Sequence, residues 1–427
     1  MNKALLSQKN DDWLSRLLNT LIIAVVFFLP LSLDVATAFL AAGSLVWFGR
    51  MLFGRGEFGR LPFDNILILL LLLGLLSIAG SPDRFFSIYN YGHLMGRYVL
   101  LYYLVGHNVR SLDQIKRLLA ALLASAVLVS VYGFYQYIFG VDISAFEWVD
   151  AQQFPDLKVR VFSTWQNPNL LAGFLVSIMA IVIGISLHLT AGEQRLSLLM
   201  LFLLLGGCLL LTYSRGAWLS LAVIVAAYGL LSDRRLMWLL LLIPVVMLCF
   251  GDVSERAASI LHPTDTSSTL RLALWHSTLA MIRDNPLTGI GWGAYWLVYP
   301  HYDYFINDDK TIIFHAHNLY LHLAAETGIP GLAAFVAFMG CHARLAIRLL
   351  RQAVPPWIRG LLAGLTAAIL GLIVSGLTDH ILFSIQMSML AWLLFAIVIA
   401  VRQAAVADNL KNSCAPRQEK GVVERNT

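Results

Sequence analysis

Long apolar segments recur along almost the whole chain, and this feature constrains the fold more than any other. A helix needs about 20 mainly apolar residues to cross the hydrocarbon core of a bilayer, and many of these segments approach that length. Charged residues make up 13% of the 427 residues, compared with about 25% in soluble domains. The sequence therefore predicts an all-α polytopic membrane protein.

Hydropathy predicts about twelve transmembrane helices and one large helical loop between spans 9 and 10. The predicted spans are 17–33, 35–53, 64–80, 89–106, 118–139, 169–189, 197–213, 216–232, 236–250, 331–350, 360–378 and 381–401. The chain then divides into spans 1–9 (residues 1–250), the large loop (251–330), spans 10–12 (331–401) and a polar tail (402–427).

The distribution of lysine and arginine predicts the orientation of these spans. Most of the 30 basic residues fall in one alternating set of connections, which includes both ends of the chain. Such connections stay on the cytoplasmic side of a membrane. We therefore expect both termini and the tail in the cytoplasm, with the connections 81–88, 140–168 and 251–330 on the opposite, periplasmic side. Only the last is long, and long structured loops are more often functional than simple linkers.

The large loop contains its own structural signals. The segment "STLRLALWHSTLAMIRDNP" predicts a helix, because Ser and Thr can cap its start and apolar residues recur at helical spacing before "DNP" ends it. The following "LTGIGWGAYWLVYP" is rich in glycine and aromatic residues, which is typical of a loop at a membrane interface. "GIPG" at 328–331 predicts a break. We expect residues 317–327 to form a short separate helix at the mouth of the membrane.

Ionisable residues within or between the spans are few, and such residues often mark functional sites. Arg97 lies in the fourth span, Arg215 lies where two spans meet, and Asp379 and His380 form a pair between the last two spans. A lone arginine near the end of a span can instead extend its charge to lipid headgroups. That alternative stays open for Arg97 and Arg215.

Arginines on the predicted periplasmic side favour a phosphate ligand. The stretch 252–326 contains more acidic than basic residues, so it does not form a basic surface for nucleic acid. Arg160 and Arg271 would then act individually. A guanidinium group stays charged and binds phosphate oxygens in bidentate fashion. A diphosphate at a membrane surface is a ligand that suits such residues.

The histidines of "FHAHNLYLH" suggest proton transfer near this ligand. A histidine with a near-neutral pKa can remove a proton from a hydroxyl group, and His317 is the candidate. His315 and His317 could instead bind a metal ion, and His317 could be purely structural. His322 and His276 are interpreted as packing or surface residues. We expect a site that needs neither a metal ion nor a cofactor.

These motifs resemble those of the bacterial O-antigen ligases and their relatives, the O-antigen polymerases and O-linked oligosaccharyltransferases. His317 and Asn318 are followed by nine residues and then by the glycine pair of 328–331, as in the ligases. An upstream loop arginine with an apolar or aromatic residue four positions later is matched by Arg271 and Trp275, although the family has leucine at the second position.

Further segments extend the resemblance over nearly the whole chain. Arg215 in "YSRGAW" is similar to the hairpin arginine of the family. Arg160 precedes "NPNLLAGF", and Asp379 lies in "TDH" between the last two spans, and both segments are similar to those of the family. About twelve spans with one large late periplasmic loop also fit the pattern.

The resemblance implies a glycosyltransferase of lipopolysaccharide biosynthesis in the bacterial inner membrane. Such a ligase moves a glycan from undecaprenyl diphosphate to lipid A–core oligosaccharide at the periplasmic face, with inversion and without a metal. It implies catalytic roles for His317, Arg215 and Arg271. It implies substrate-binding roles for Arg160, Arg97, His315, Asn318 and Asp379. Apolar grooves between the spans would hold the lipid.

Three other functions remain open at this point. An O-antigen polymerase would use the same donor with a different acceptor. An O-linked protein oligosaccharyltransferase is a weaker match, because the tail is short. A lipid-glycan transporter would explain the intramembrane charges, but transporters commonly contain internal repeats, and the sequence has no convincing one.

Overall fold

The computed structural model describes residues 2–53, 59–140, 160–189, 192–241, 266–304 and 312–414. In these segments the regular secondary structure is helical, with several short 3₁₀ turns and no strand. The helices are α1 (Asn2–Phe28), α2 (Leu33–Leu52), α3 (Asp64–Ser77), α4 (Arg84–Asn108), α5 (Leu112–Phe139), α6 (Pro168–His188), α7 (Gly192–Leu210), α8 (Arg215–Leu231), α9 (Thr266–Asp284), α10 (Tyr295–Val298), α11 (Leu319–Leu350), α12 (Pro356–Thr378) and α13 (Ile385–Cys414).

The predicted class, an all-α polytopic membrane protein, is confirmed. Within the described segments, seven helices are long and apolar enough to cross a membrane, and three shorter apolar helices accompany them. The ninth predicted span, 236–250, begins as a 3₁₀ turn, Arg234–Leu241, and its remainder lies outside the described residues, as do 251–265 of the large loop. Helix α13 continues to Cys414, beyond the predicted span end at 401, and residues 415–427 of the tail are not described.

Helices α6 and α12 pack against each other at unusually close range. A Cβ atom added to Gly364 would lie 2.5 Å from Ile181 Cα, and one added to Gly184 would lie 2.5 Å from Gly360 O. Small residues permit this approach of two backbones. Because the contacts run in opposite chain directions, the beginning of α6 lies beside the end of α12.

Helix α11 contains the break that "GIPG" predicts. Gly328, with φ of 72° and ψ of 171°, is not helical, and it divides α11 into a short helix before it and a longer helix after it, as expected. The Ile329 N–H donates to Pro286 O at 2.8 Å. A side chain at Gly328 would collide with Leu287 O. The glycine therefore lets the large loop cross directly over the helix.

The described part of the large loop forms a small second core over the beginning of α11. Helix α9 occupies the predicted segment, and Leu274 and Met281 of this helix are buried with Tyr295. The segment after α9 is tied to α11, since the Ile290 N–H donates to Ala325 O at 2.8 Å and the Gly291 N–H donates to Glu326 O at 3.1 Å. The loop thus fixes the residues that precede and begin α11.

Candidate functional site

His317 stands immediately before α11 in a left-handed backbone conformation, with φ of 47°. The next residue, Asn318, caps the helix: its side-chain oxygen accepts hydrogen bonds from the N–H groups of Tyr320 and Leu321, each at 3.0 Å. Its amide nitrogen donates to Leu377 O at 3.0 Å. The predicted substrate-binding role of Asn318 stays a prediction. In this structure its side chain ties the beginning of α11 to the end of α12.

His317 is paired with Asp379, the residue that follows the last residue of α12. Their side chains meet at 3.0 Å between Nδ1 and Oδ1. Asp379 also accepts from its neighbour, the His380 N–H, at 2.8 Å and from Asn169 Nδ2 at 2.8 Å. Burial opposes ionisation of this carboxyl group. However, the hydrogen bond and electrostatic interaction with His317 and the positive charge of Arg271 outweigh that effect, and the pKa of Asp379 is lowered.

The ionised state of Asp379 determines which nitrogen of His317 is basic. A carboxylate can only accept hydrogen bonds, so Nδ1 of His317 must carry the proton. Nε2 then keeps its lone pair. The His317 side chain is 33% exposed, whereas that of Asp379 is 16% exposed. The pair therefore presents Nε2 as a basic nitrogen. The orientation of the His317 ring is fixed by the mostly buried carboxylate of Asp379.

Arg160 supports the pair through Asn169 at the beginning of α6. Its Nη2 donates to Asn169 Oδ1 at 2.9 Å, and its Nε donates to Thr212 O at 2.9 Å. The Asn169 amide is thus fixed with its oxygen toward the arginine and its nitrogen toward Asp379. A continuous hydrogen-bonded series, Arg160–Asn169–Asp379–His317, results. The predicted residues Arg160, Asp379 and His317 are therefore brought together.

Two other predicted arginines, Arg271 and Arg215, are carried by other helices, α9 and α8. Arg271 of α9 is partly buried and close enough to Asp379 to lower its pKa. Arg215 begins α8, and a Cβ atom at the next residue, Gly216, would lie 2.6 Å from Thr378 Oγ1. The beginning of α8 therefore abuts the end of α12.

Arg97 belongs to a separate contact. Its Nη2 lies 2.8 Å from His93 Nε2 within α4. His93, in turn, lines the cavity described next. Arg97 is therefore connected to the cavity wall through His93, and its predicted role in substrate binding stays a prediction.

A cavity of about 720 Å³ opens beside His317 and Asp379. Apolar side chains such as Leu70 of α3, Met95 of α4 and Trp392 of α13 line it together with the polar groups. Among the residues that the structure describes, the lining does not include Arg160, Arg215 or Arg271. The His317–Asp379 pair therefore contacts an open cavity, while these arginines lie outside its lining.

Three further histidines surround the pair. The His315 ring meets the His317 ring edge-on at 4.2 Å between centroids. The His322 ring lies 4.4 Å from that of His380, and its Nε2 lies 3.5 Å from Glu326 Oε1. His322 and Glu326 are both buried. The interpretation of His322 as a packing residue missed its place in the cavity wall, although the i, i+4 spacing of His322 and Glu326 is visible in the sequence.

Asn169 is the other residue that sequence reasoning missed. It lies in "NPNLLAGF", where Asn167 caps α6 by accepting from the Asn169 N–H at 2.8 Å. A second asparagine beside a cap is therefore free to direct its side chain elsewhere. That pattern was the available signal in the sequence for a role of Asn169. The partner of Asn169, however, is Asp379, which is 210 residues away in the chain.

His315, His317 and Asp379 each place one ligand atom within 4.8 Å of the others, an arrangement that could hold a metal ion. If a metal ion were bound, these three residues would be its ligands. Two features disfavour it: His317 and Asp379 already satisfy each other, and the positive charge of Arg271 acts on Asp379, so it would repel an added cation.

The buried histidines make a prediction about pH. Burial lowers the pKa of His315 to about 3, with additional repulsion from His317 and His322. As the pH falls below about 6.5, the unfolded chain binds a proton at this position that the folded protein does not bind. The free energy of unfolding should therefore decrease by about 1–2 kcal/mol between pH 7 and pH 5 through this residue.

Thermal unfolding in detergent, followed by tryptophan fluorescence, measures this effect in the wild type and in His315→Phe. The variant should lose less stability on acidification. Asp379 does not change the comparison, because its pKa is lowered from a value that is already below pH 5. Equal slopes for the two proteins would contradict the assignment of a neutral, buried His315.

The comparisons with known proteins agree with this geometry. Residues 200–336 match the family model described as O-antigen ligase (Wzy_C). No curated protein matches the chain. The matched segment includes Arg215, Arg271, His315, His317 and Asn318. The resemblance to the O-antigen ligase family that the sequence motifs indicate is therefore supported over this part of the chain.

Proposed function

We propose that this protein is a member of the O-antigen ligase family and transfers a glycan from undecaprenyl diphosphate to lipid A–core oligosaccharide. The reaction would take place at the periplasmic face of the bacterial inner membrane, with both termini in the cytoplasm. It would use a single displacement with inversion and no metal ion. The observation that carries the proposal is the hydrogen bond from His317 Nδ1 to the buried carboxylate of Asp379.

His317 acts as the general base in this reaction. As the acceptor hydroxyl oxygen bonds to the anomeric carbon, Nε2 of His317 takes the hydroxyl proton, and the bond from that carbon to the diphosphate breaks. Asp379 stabilises the imidazolium that forms and keeps Nδ1 protonated, as a buried carboxylate does for other catalytic histidines. A positioned base of this kind typically contributes about 10²–10⁴-fold to the rate.

The arginines stabilise the leaving diphosphate, which gains negative charge as the glycosidic bond breaks. Arg271 carries a permanent positive charge within electrostatic reach of Asp379. Arg215 begins the helix that abuts the end of α12. Fixed cations at a partly enclosed site stabilise developing charge without reorganisation. Arg160 acts through Asn169 and Asp379, since its guanidinium group donates to Asn169 Oδ1 and to Thr212 O within the protein.

The cavity and the surrounding helices provide for two lipid-anchored substrates. Apolar side chains of several helices face outward, including Leu69 and Leu72 of α3 and Leu128 of α5. Such surfaces suit contact with lipid chains. Holding donor and acceptor at one opening converts an encounter between two lipids into a reaction within one complex.

The test is the lipopolysaccharide profile of a deletion strain on a gel. If the protein is the ligase, the strain should lose the polymer ladder from lipid A–core and accumulate polymer that remains unattached. Re-expression of the wild-type chain should restore the ladder. The expected change is complete loss of attached glycan, because no other route joins the two lipids in this proposal.

The same gel distinguishes the nearest alternative. If the protein is an O-antigen polymerase, single repeat units should remain attached to lipid A–core in the deletion strain. That pattern would refute lipid A–core as the acceptor, but it would remain consistent with the lipid-linked donor. An unchanged ladder would contradict both functions.

A further inference from the structure

One wall of the cavity beside His317 carries nitrogen atoms that the protein itself does not satisfy. The Nδ1 atoms of His315, His322 and His380 and the indole nitrogen of Trp292 are buried without a hydrogen-bond partner among the residues that the structure describes. All four residues line the cavity. Buried polar atoms without partners destabilise the fold, so their retention in one wall suggests a ligand.

His380 is the clearest case. His380 is 7% exposed, and its Nδ1 is buried without a hydrogen-bond partner among the described residues. The backbone of His380 is fixed, since its N–H donates to Asp379 Oδ1 at 2.8 Å.

The protein holds these rings in defined positions. His322 lies against His380 on one side and against Tyr295 on the other, with centroids 4.4 and 5.1 Å apart. Its Nε2 faces Glu326, whose Oε1 also accepts from the Tyr295 N–H at 3.3 Å. Such a wall is pre-organised, so a ligand would bind it without first ordering its side chains.

The charge state of the wall selects the chemical class of ligand. Burial lowers the pKa of His315 to about 3 and lowers that of His380 well below its ordinary value. Both rings are therefore neutral near pH 7. A neutral imidazole offers one donor and one acceptor, which complements a hydroxyl group. A diphosphate only accepts hydrogen bonds and requires cations, and Arg160, Arg215 and Arg271 are outside the cavity lining.

We propose that this cavity binds a neutral sugar ring of the acceptor, whose hydroxyl groups bond to His380, His322, His315 and Trp292. This inference rests on the proposed transfer function and assigns the acceptor to one side of His317. Phe383 and Trp392, which also line the cavity, offer flat apolar surfaces to the sugar ring. One acceptor hydroxyl then reaches Nε2 of His317, while the donor diphosphate lies on the side of the arginines.

His380→Phe tests this proposal with two opposite changes. The substitution keeps an aromatic ring beside His322 and removes Nδ1, which has no partner among the described residues. Thermal stability should therefore stay the same or increase. The affinity for the acceptor should fall about tenfold, the loss expected for one or two hydrogen bonds. The KM for the lipid-diphosphate donor should not change.

His342→Phe is the matched control. His342 is a fully buried histidine of α11 that is absent from the cavity lining, and both of its ring nitrogens have partners, Tyr102 Oη at 3.0 Å and Phe338 O at 2.8 Å. The same substitution there should lower thermal stability and leave acceptor affinity unchanged. A merely structural role for His380 would make the two variants alike.

The measurements use the full chain purified in detergent. Core oligosaccharide released from lipid A serves as the binding probe, with calorimetry as the readout, and lipid A–core serves as the acceptor for kinetics. Unchanged core affinity in His380→Phe would overturn the inference. Wild-type turnover of donor and lipid A–core without measurable binding of the free core would also overturn it, while the proposed function would stand. A wild type that transfers no glycan to lipid A–core would instead refute the proposed function.

Discussion

Replacing His317 by asparagine should reduce glycan transfer by about 10²–10⁴-fold, because the variant lacks a basic nitrogen in the place of Nε2. Asparagine suits this position for two other reasons. It tolerates the left-handed backbone, with φ of 47°, and its amide can donate a hydrogen bond to Asp379. The protein should therefore insert and fold normally. Transfer is measured in vitro with purified protein and in the deletion strain by restoration of the ladder.

Two further variants make this result specific. His301 is exposed in the 3₁₀ turn Tyr299–Tyr302 of the same loop, so His301→Asn should retain activity. His317→Ala removes both the base and the contact with Asp379. If alanine inactivates the enzyme but asparagine does not, His317 positions the chain and does not transfer the proton. A normal ladder with both variants would exclude any role for the imidazole.

The sequence predicted those parts of the fold that depend on local patterns. The limits of α8, Arg215–Leu231, differ by one residue from the predicted span 216–232, because an uninterrupted apolar segment leaves few alternatives. The helix of the large loop, Thr266–Asp284, was also visible from its apolar periodicity and its "DNP" stop. Both signals lie within about 20 consecutive residues.

The break in α11 shows the limit of such local reasoning. "GIPG" indicates where the helix is interrupted, but the direction that the chain takes after Gly328 depends on the rest of the molecule. The decisive contact is the Ile329 N–H with Pro286 O, which comes from the segment after α9. The bend at Gly328 is therefore a property of the loop and the helix together.

The candidate site was predictable in composition but not in arrangement. Arginine, histidine and aspartate in an apolar chain stand out because they are costly in a membrane. Their grouping required knowledge of tertiary packing. The contact of Asn169 with Asp379 follows from the close approach of α6 and α12 at Gly184 and Gly364, and nothing in either helix alone predicts that pairing.

The grouping of His322 with His380 could not be predicted either, because the two residues are far apart in the sequence. His322 appeared to be an ordinary residue of an apolar helix, and His380 appeared only as the neighbour of Asp379. Their rings are 4.4 Å apart because α11 begins where α12 ends. The structure thus adds a wall of histidine rings to a site that the sequence described mainly in terms of charges.

Asp379→Asn should also reduce transfer by about 10²–10⁴-fold, although aspartate takes no part in bond formation. An amide at this position has one acceptor and one donor, whereas Asp379 now accepts from His317, His380 and Asn169. If the introduced N–H₂ group faces His317, the imidazole must expose a protonated Nε2, which is not basic. If it faces Asn169, that side chain must turn and oppose the Arg160 guanidinium. Either arrangement disrupts the series.

Combining the two substitutions distinguishes a catalytic unit from two independent effects. If Asp379 acts only by orienting and stabilising His317, the variant that carries both His317→Asn and Asp379→Asn should be little worse than His317→Asn alone, because the base is already absent. Asp303→Asn is the control for loss of one carboxylate, because Asp303 is an acidic residue of the large loop that accepts from Tyr299 Oη at 3.1 Å. Fully multiplicative losses in the combined variant would show that Asp379 contributes by a route that does not pass through the imidazole.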